Sequence, residues 1–560
     1  MAVALASADT YVVVVALPDM MAGVGLGIDA LQRAMPIISG FLLGYIAVLP
    51  LIGRLSDLVP RQKILFFCLC LFVVGSAVTA VSVELPVLVF GRVLQGIGGG
   101  GLVPATLALV ADLWPPARRG TPLGVVGAVQ ELGSVLGPLL GAAVLAVADW
   151  RAIFWLNVVL GLVIGVALML TADPQVRPHL RWLPTVLGLL TLAAGMLTLI
   201  APPALTGDVT LGVPFVPFAG TSRVSTPMGV LTLVLLLVTL AVSGAMPVDS
   251  GSRVALLRRV DLFGALCIAV ALGSLVLTFA SADPGAGVVG PSGWALVPLG
   301  LVAVAAYLWR HHSARDPLVA RGLMSVRGGS RIVPAFLVST LVGVALVAVV
   351  VDVPVLARLT VTTSQSVAAL VLVRFMVAIP VGAFLGGWLL RRLGPAVVAA
   401  AGLAAAGTGL ALMSGWGRGS LQAWPATPVL LLAGLGLGLA LAPVNAAALA
   451  DAPGDAHGVV SSLVVLARMV GMIVGLALLT AVGLHRYYVA VAALPDQSNM
   501  NALSAAGVVQ VQTVFLGGAV AAYSAAVIAM ALGGPRSRES GGQVHGRGRS
   551  GDRRQRPALK

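Results

Sequence analysis

The segment GAVQELGSVLGPLLG, at 127–141, places one carboxylate, Glu131, in a run that is otherwise apolar and rich in glycine. A charged side chain near the centre of a bilayer costs roughly 2.5–3.5 kcal/mol on insertion scales, so such residues usually face a water-filled cavity or a partner. Gly133, Gly137 and Gly141 recur four residues apart, a spacing that lets a neighbouring helix approach closely. The segment therefore predicts a tightly packed membrane helix that carries an acid with a role.

The composition is that of a membrane protein. Hydrophobic residues make up 59% of the 560 residues, charged residues make up 10%, and the mean hydropathy is +1.04. A soluble domain carries about 25% charged residues, so this chain would not stay in solution as a globular protein. Its apolar runs are about 20 residues long, the length that a helix needs to cross a bilayer. We expect an all-α polytopic membrane protein.

The apolar runs predict fourteen to sixteen spans, with an even number in the central group. The runs lie near 2–24, 34–53, 64–83, 86–110, 122–147, 153–172, 183–202, 227–246, 262–281, 293–309, 331–352, 366–390, 395–415, 427–450, 458–483 and 511–533. They predict a six-helix lobe at 1–172, a linker with about four further helices at 173–325, and a second six-helix lobe at 326–533. The remaining residues, 534–560, are predicted to be a disordered basic tail.

The positive charges predict the orientation. Most of the 34 Lys and Arg residues fall in the tail and in the loops that share its side of the predicted topology. Short cytoplasmic loops carry an excess of Lys and Arg, so both termini are predicted to be cytoplasmic, with the protein in the plasma membrane. The tail is expected to contact anionic membrane lipids.

Several classes of protein are disfavoured. The net charge of +14 is scattered and forms no basic face, so we expect no nucleic acid as partner. Cys68, Cys70 and Cys267 lie within predicted spans and match no metal or redox spacing, so no metal site, cofactor or disulfide is expected. The histidines form no catalytic constellation, and no phosphate-binding loop of an ATP-driven pump is present. The chain is predicted not to be an enzyme.

The loop GRLSDLVPRQKIL, at 53–65, resembles the signature between spans 2 and 3 of the major facilitator superfamily, through Gly53, Asp57 and Arg61. The resemblance implies two six-helix lobes, and a loop that latches the two halves of one lobe in the outward-facing state. Leu58 stands where the family usually has an arginine, which implies a weaker set of charges. The alternative is an ordinary turn whose basic residues only set the topology.

Two further signatures of the superfamily follow. Span 4 contains Arg92 and, three residues later, Gln95-Gly96, at the places that the family's second signature has them. A buried guanidinium stays charged and needs an acceptor, either a carboxylate or helix-end carbonyls. In span 5, the glycines named above and Pro138 are similar to the signature of the superfamily's exporters, and imply a surface on which the lobes rock.

Span 1 supplies a second buried acid. DTYVVVVALP, at 9–18, looks like span 1 of the fourteen-span drug:proton antiporter family and begins with Asp9. The resemblance implies proton coupling, in which Asp9 or Glu131 pairs with an arginine of the other lobe, Arg374 or Arg468, and releases it on protonation. A permanent carboxylate–arginine pair remains the alternative for Glu131, and a role at the helix N-terminus for Asp9.

The first lobe also resembles a mycobacterial branch that works with a periplasmic lipoprotein in triacylglyceride export. LGYIAVLPLIGR at 43–54, LALVADLW at 107–114 and QELGSVLGPL at 130–139 carry this likeness. The prediction is a proton-coupled exporter of hydrophobic or amphiphilic small molecules, drugs or lipids. The alternative is lipid transport with a periplasmic lipoprotein and without obligatory proton coupling. An outer segment at 484–510 is predicted either to guide a lipid or partner or to be a passive loop.

Overall fold

The computed structural model describes a chain built from helices. It covers residues 1–26, 31–171, 182–201, 213–217, 226–245, 260–280, 293–314, 316–321, 331–361, 365–495 and 499–533. No strand occurs in these ranges. Apart from its ends, a helix satisfies its backbone hydrogen bonds internally, which is what a chain in hydrocarbon requires. The predicted all-α polytopic fold is confirmed.

Among the described residues, six helices form the first lobe, four lie in the linker, and six form the second lobe. The first six are α1 (Ala2–Gly23), α2 (Leu31–Leu58), α3 (Arg61–Val81), α4 (Leu85–Leu113), α5 (Gly120–Leu145) and α6 (Arg151–Thr171). The linker helices are α7 (Trp182–Ile200), α8 (Pro227–Ala245), α9 (Leu262–Ala280) and α10 (Gly293–Ser313). The last group begins with α11 (Ile332–Thr360) and continues with α12 and α13, which share Gln365–Met413, and with α14 (Ala426–Ala450), α15 (His457–Ala492) and α16 (Met500–Ala529).

The boundary between α12 and α13 is a glycine. Gly394 has φ 79° inside the continuous stretch Gln365–Met413, and Pro395 follows it directly. A positive φ is readily adopted only by glycine, and proline has no N–H to donate to the preceding turn. The stretch is therefore two helices, α12 before Gly394 and α13 after it.

Not all of these helices meet the length and hydropathy of a membrane span. Among the described residues, eleven helices do, and twelve if the bent α1 counts as one span. One of the eleven, Val371–Met413, contains the break at Gly394 and is 43 residues long. The count of fourteen to sixteen spans stays a prediction. The lobe boundaries also stay predictions, since 172–181 and 322–330 lie outside the described residues, as does the tail at 534–560.

Glycines set the closest helix crossings of the first lobe. A side chain at Gly96 would meet the backbone carbonyl of Phe41, and one at Gly100 would meet that of Tyr45. Both glycines belong to α4 and both contacts are with α2, so the two backbones touch along two turns. This packing is the use that small residues have in membrane helices.

The two lobes meet at one end of the molecule. Gly120 and Gly124 of α5 lie against Gly387 of α12, and Gly53 of α2 lies against Gly458 and Ser462 of α15. We call this end the latch end and define it by 53–61, 112–119 and 454–459. By the distribution of positive charge it is predicted to be cytoplasmic.

The linker helices pack as two pairs. α9 packs against α10 and also along α2, where a side chain at Gly273 would meet Leu43. α7 packs against α8, with a hydrogen bond between the hydroxyls of Thr198 and Thr232 (3.0 Å). The linker thus adds a helix pair to the surface of the first lobe.

The outer segment at 484–510 is mostly helical where it is described. α15 continues to Ala492, and α16 begins at Met500, where the Asn499 side chain accepts from two backbone N–H groups. Both helices run beyond the spans at 458–483 and 511–533, because hydropathy marks the apolar part of a helix and not its end. Whether this segment guides a lipid or a partner, or is passive, stays a prediction.

Candidate functional site

Asp9 and Arg92 form a buried ion pair inside the first lobe. The Arg92 Nη1 atom lies 2.6 Å from Asp9 Oδ2, and both side chains are at most 1% exposed. Arg92 also donates from Nε to the carbonyl oxygen of Ile37 (3.3 Å), and its guanidinium lies 4.5 Å from the ring centroid of Phe41. The charge of Arg92 is therefore compensated in the way that a buried guanidinium requires.

Amide side chains complete this network. Gln95 donates to Asp9 Oδ1 (3.0 Å) and to Ser76 Oγ (2.8 Å), and Asn157 donates to Asp9 Oδ1 (2.6 Å). Asp9 thus accepts from α4 and α6, and Gln95 extends the network to α3. The predicted pairing of Asp9 with an arginine of the other lobe is not formed in this structure, because its partner Arg92 lies in the same lobe.

Glu131 pairs across the lobes. Its Oε1 atom lies 3.6 Å from Nη1 of Arg468, and the two side chains are 12% and 10% exposed. Glu131 belongs to α5 and Arg468 to α15, so this contact joins the first lobe to the second. Unlike Asp9, Glu131 has a long contact with its arginine, and both residues line a cavity.

The cavity beside this pair has a volume of about 230 Å³. Its wall is mostly apolar and comes from both lobes. The lining residues are Ser7, Thr10, Tyr11, Ile38, Phe41, Leu42, Tyr45, Gln130, Glu131, Ser134, Leu346, Arg468, Met469 and Met472. An apolar pocket with a few convergent polar groups is the arrangement typical of a small-molecule site.

Arg374 lies apart from both ion pairs. Its side chain is exposed, and Nη1 donates to the hydroxyl of Thr427 (3.2 Å), which belongs to the same lobe. The predicted pairing of Arg374 with Asp9 or Glu131 is not formed here, since each acid has another arginine as its partner. A role for Arg374 in coupling stays a prediction.

Asp57 connects the lobes at the latch end. Its two carboxylate oxygens accept from the backbone N–H groups of Gly458 (2.6 Å) and Val459 (2.9 Å), at the start of α15. The first N–H groups of a helix have no partner within it, and the helix dipole favours a negative charge there. Asp57 thus binds the second lobe, and the predicted latch between the halves of one lobe stays a prediction.

Arg61 contacts residues of both lobes at the latch end. It pairs with Asp57 (3.2 Å) and with Asp112, and it donates to the carbonyl oxygen of Gly454 (3.4 Å). Asp112 also contacts Nδ1 of His457 in the second lobe (3.3 Å). The latch therefore includes contacts that the loop signature did not predict.

Asp112, Arg119 and His457 are the residues that sequence reasoning missed. Arg119 donates to the carbonyl oxygen of Leu449 (3.2 Å) in the second lobe. Asp112 stands in the segment LALVADLW at 107–114, and a charged residue at the end of an apolar run was the available signal. Arg119 counted only toward the topology.

The glycines of the exporter signature pack within the first lobe. Side chains at Gly133 and Gly137 would meet the backbone of α1 at Ala4 and Ala8, and one at Gly141 would meet Val12. Pro138 lies inside the same helix. The part of α5 that meets the second lobe lies closer to its start, so the rocking surface at these glycines stays a prediction.

The described residues contain no group of three His, Cys, Asp or Glu side chains that could hold a metal ion. The described site consists of ion pairs and hydrogen bonds within and between the two lobes, beside a cavity.

The sequence model of the Major Facilitator Superfamily matches residues 1–307. The chain belongs to this superfamily of membrane transporters. Two solved structures share the fold: a human organic anion transporter, MFSD10 (TM-score 0.51, 17% identity, covering 93% of this chain and 97% of the other), and a proton:xylose symporter, XylE (TM-score 0.51, 15% identity, 91% and 92%). The predicted major facilitator fold is thereby confirmed.

Within the superfamily the chain is similar to mycobacterial proteins named triacylglyceride transporters. The relative from Mycolicibacterium hassiacum is 35% identical over 501 residues, which cover 87% of this chain and 78% of the relative. Those from Mycobacteroides abscessus and Mycobacterium tuberculosis are 36% and 34% identical, each covering 87% of this chain and 82% of the relative. The chain is a multi-pass membrane transport protein and not an enzyme.

Proposed function

We propose that this protein is a secondary transporter that exports a hydrophobic or amphiphilic molecule in exchange for protons. The best candidate for the exported molecule is a neutral lipid. The observation that carries the proposal is the Glu131–Arg468 pair, which bridges the two lobes at the wall of the cavity. A group that gains a proton there changes the energy of one arrangement of the lobes relative to another. Such a differential energy is what alternating access needs.

The coupling follows from the charge change. Ionised Glu131 attracts Arg468 and favours the state in which the lobes are close at the pair. Neutral Glu131 loses that attraction, and because both residues line the cavity, water or a substrate can then separate them. In this proposal Asp9 holds α1, α4 and α6 in a fixed arrangement, and Glu131 is the group that exchanges the proton.

The substrate class is argued from the lining and from the relatives. Phe41, Leu42, Leu346, Met469 and Met472 present apolar surface to the cavity. The relatives named triacylglyceride transporters make a neutral lipid the best candidate, with drugs of similar polarity as alternatives. The cavity is smaller than the roughly 300–1,000 Å³ of ordinary ligand pockets, so in this conformation it would accept one end of a lipid.

We propose the cellular location and the partner protein from the predicted orientation and from the exposed residues of the outer helix extensions. We place the protein in the plasma membrane with both termini in the cytoplasm, which puts the extensions of α15 and α16 on the outer side. Tyr488, Val489 and Met500 on these extensions are 51–77% exposed. A periplasmic lipoprotein that accepts the lipid would find an apolar surface there.

The test is transport in proteoliposomes with an imposed pH gradient and a fluorescent triacylglyceride as the substrate. The wild type should move the lipid faster when the gradient is present, and Glu131→Gln should lose the acceleration while it still folds. Asp149→Asn is the matched control, since it removes a carboxylate that is 60% exposed and paired with Arg151 outside the cavity. Gradient-driven transport by Glu131→Gln at the wild-type rate would reject the role of Glu131.

A second candidate function is lipid movement without obligatory proton coupling. The names of the relatives favour lipid transport and say nothing of protons. In that case transport would not respond to the gradient in the wild type, yet Arg468→Gln would still reduce it because Arg468 lines the path. The same proteoliposomes decide between the two.

A further inference from the structure

One face of α12 carries a positive charge on an otherwise apolar surface. Its apolar members, Val377, Val381, Phe384 and Trp388, are 44–49% exposed. They follow Arg374 at intervals of three and four residues, so all five side chains lie on one side of the helix. Arg374 is exposed as well. We call this face, at 374, 377, 381, 384 and 388, the α12 stripe.

Other faces of α12 pack against protein. The backbone carbonyls of Phe375 and Ile379 lie against glycines of α14, and Ala383 lies against α5. The stripe lies on a different side of the helix from these contacts. An exposed apolar face of a membrane helix is the face that acyl chains cover, and charged residues of spans almost always point into the bundle instead. Arg374 on this face therefore needs an explanation.

The arginines at the two ends of α12 show how the stripe lies in the bilayer. Gly387 meets α5 where the lobes touch, and Arg391 and Arg392 follow it toward the latch end. The Arg392 guanidinium lies 4.7 Å from the ring centroid of Trp388. Arg374 and Arg391 are 17 residues apart, which is about 26 Å at 1.5 Å per residue. Since the hydrocarbon core is about 30 Å thick, the two arginines lie near its opposite borders.

The Arg374 side chain reaches toward the membrane surface that is opposite the latch end. Its Nη1 atom donates to the hydroxyl of Thr427 (3.2 Å), in the first turn of α14. The other end of α14 is at the latch end, where Arg119 binds the carbonyl of Leu449. Helical side chains lean toward the start of their helix, and a long arginine extends its charge to the interface in this way.

The charge of Arg374 lacks an acidic partner in the described part of the chain, since none of the ion pairs found there includes it. The Thr427 hydroxyl is neutral and uses one of the five guanidinium donors. The geometry of these donors matches the oxygens of a phosphate group. Trp424, just before the start of α14, is 84% exposed, and tryptophan is enriched at the headgroup level of membranes.

We propose that Arg374 binds the phosphate of an anionic phospholipid in the leaflet opposite the latch end, and that the acyl chains of this lipid lie along the α12 stripe. A free phosphate ion would gain nothing from the apolar part of the stripe. A zwitterionic lipid would bring a second positive charge beside Arg374, so a lipid with a net negative charge is the better match. The inference depends neither on proton coupling nor on the identity of the exported molecule.

The test is photocrosslinking from the stripe itself. Val377 is replaced by p-benzoylphenylalanine, which fits because this position is exposed. The protein is placed in vesicles of equal amounts of phosphatidylglycerol, which is anionic, and phosphatidylcholine, which is zwitterionic, and mass spectrometry identifies the attached lipid. The same photoprobe at Leu412, which is 52% exposed at the end of α13 on the same side of the membrane, reports the lipid elsewhere on this lobe.

We expect phosphatidylglycerol to exceed phosphatidylcholine by about fivefold at Val377, the ratio for one arginine near an anionic lipid, and by much less at Leu412. Arg374→Gln should lower the ratio at Val377 to that at Leu412, whereas Arg374→Lys should keep part of the excess because it keeps the charge. Arg418→Gln is the matched control, since it removes an exposed arginine that already donates to Ser504 (2.9 Å). It should leave the ratio at Val377 unchanged.

Four results would overturn the inference. Equal ratios at Val377 and Leu412 in the wild type would show only the general attraction of a basic protein for anionic lipid. An unchanged ratio in Arg374→Gln would show that another group selects the lipid. Attachment to a second copy of the protein would identify the stripe as a dimer interface, and loss of the excess on addition of inorganic phosphate would show that Arg374 binds the free ion. Transport is not part of the readout, so failure of the proposed function would leave this result unaffected.

Discussion

The contact of Asp57 with the start of α15 predicts how strongly the latch end is held shut. Asp57 accepts from two backbone N–H groups of the second lobe, at 2.6 and 2.9 Å, and its side chain is fully buried. These two bonds exist only while the lobes meet at this end. Asp57→Asn therefore weakens the latch-closed state and leaves the open state almost untouched.

The magnitude follows from the hydrogen bonds. A bond to a charged group stabilises by about 1.5–3 kcal/mol and a neutral bond by about 1 kcal/mol. Two charged bonds are lost and asparagine keeps one neutral bond, so the latch-closed state should lose about 2–5 kcal/mol. Since about 1.4 kcal/mol corresponds to a factor of ten, the equilibrium should move toward the open state by at least about thirtyfold.

The assay is a distance measurement by electron spin resonance across the latch end. Spin labels at Lys63 and Arg391, both exposed and one on each lobe, report the separation of the lobes. Cys70 is exposed and is replaced first. The control is Asp455→Asn, which removes an exposed carboxylate from the same region.

The wild type and Asp455→Asn should show mainly the short distance, and Asp57→Asn should show a new population at a longer one. An unchanged distance distribution in Asp57→Asn would refute the reasoning. It would mean that Arg61, Asp112 and His457 hold the end shut without the helix-terminus contact.

Three other predictions concern stability and coupling. Asp9→Asn should lower the free energy of unfolding by about 3–5 kcal/mol, because it leaves a buried guanidinium without its counter-charge; denaturant-induced unfolding in micelles measures this, and a change below about 1 kcal/mol contradicts it. Gly98→Ala should destabilise by about 1–3 kcal/mol since its Cβ would meet the α3 backbone, whereas Gly99→Ala, whose Cβ has a nearest neighbour at 3.4 Å, should be tolerated; equal melting temperatures would refute this. Arg374→Gln should reduce gradient-driven transport far less than Arg468→Gln in proteoliposomes, and the reverse order would show that Arg374 acts in a conformation other than this one.

Much of the fold was predictable because it depends on local sequence. Apolar runs of about 20 residues predict helices wherever they occur, and the glycines at 133, 137 and 141 predicted a close crossing whose partner, α1, only the structure identifies. The ends of α15 and α16 were not predictable from hydropathy, since their extensions mix polar and apolar residues and leave the apolar run. The latch signature located Asp57 and Arg61, but only the structure identifies the start of α15 as the partner of Asp57.

The candidate site was predictable only in part. Asp9, Arg92, Glu131 and Arg468 were recognisable because a charge inside an apolar run needs a partner wherever the helix lies. The pairing itself was not, since Asp9 and Arg92 are 83 residues apart. An acid in one span can reach an arginine of several others until the helices are packed.

The sequence by itself determined that this chain spans a membrane as helices, that it has the signatures of a two-lobed transporter, and which charged residues must be compensated. Only the tertiary structure decided that Asp9 pairs within its lobe and that Glu131 pairs across the lobes. The physical reason is that the cost of burying a charge is a property of the residue and its local surroundings. Its partner depends on distances of a few ångströms between helices that are remote along the chain.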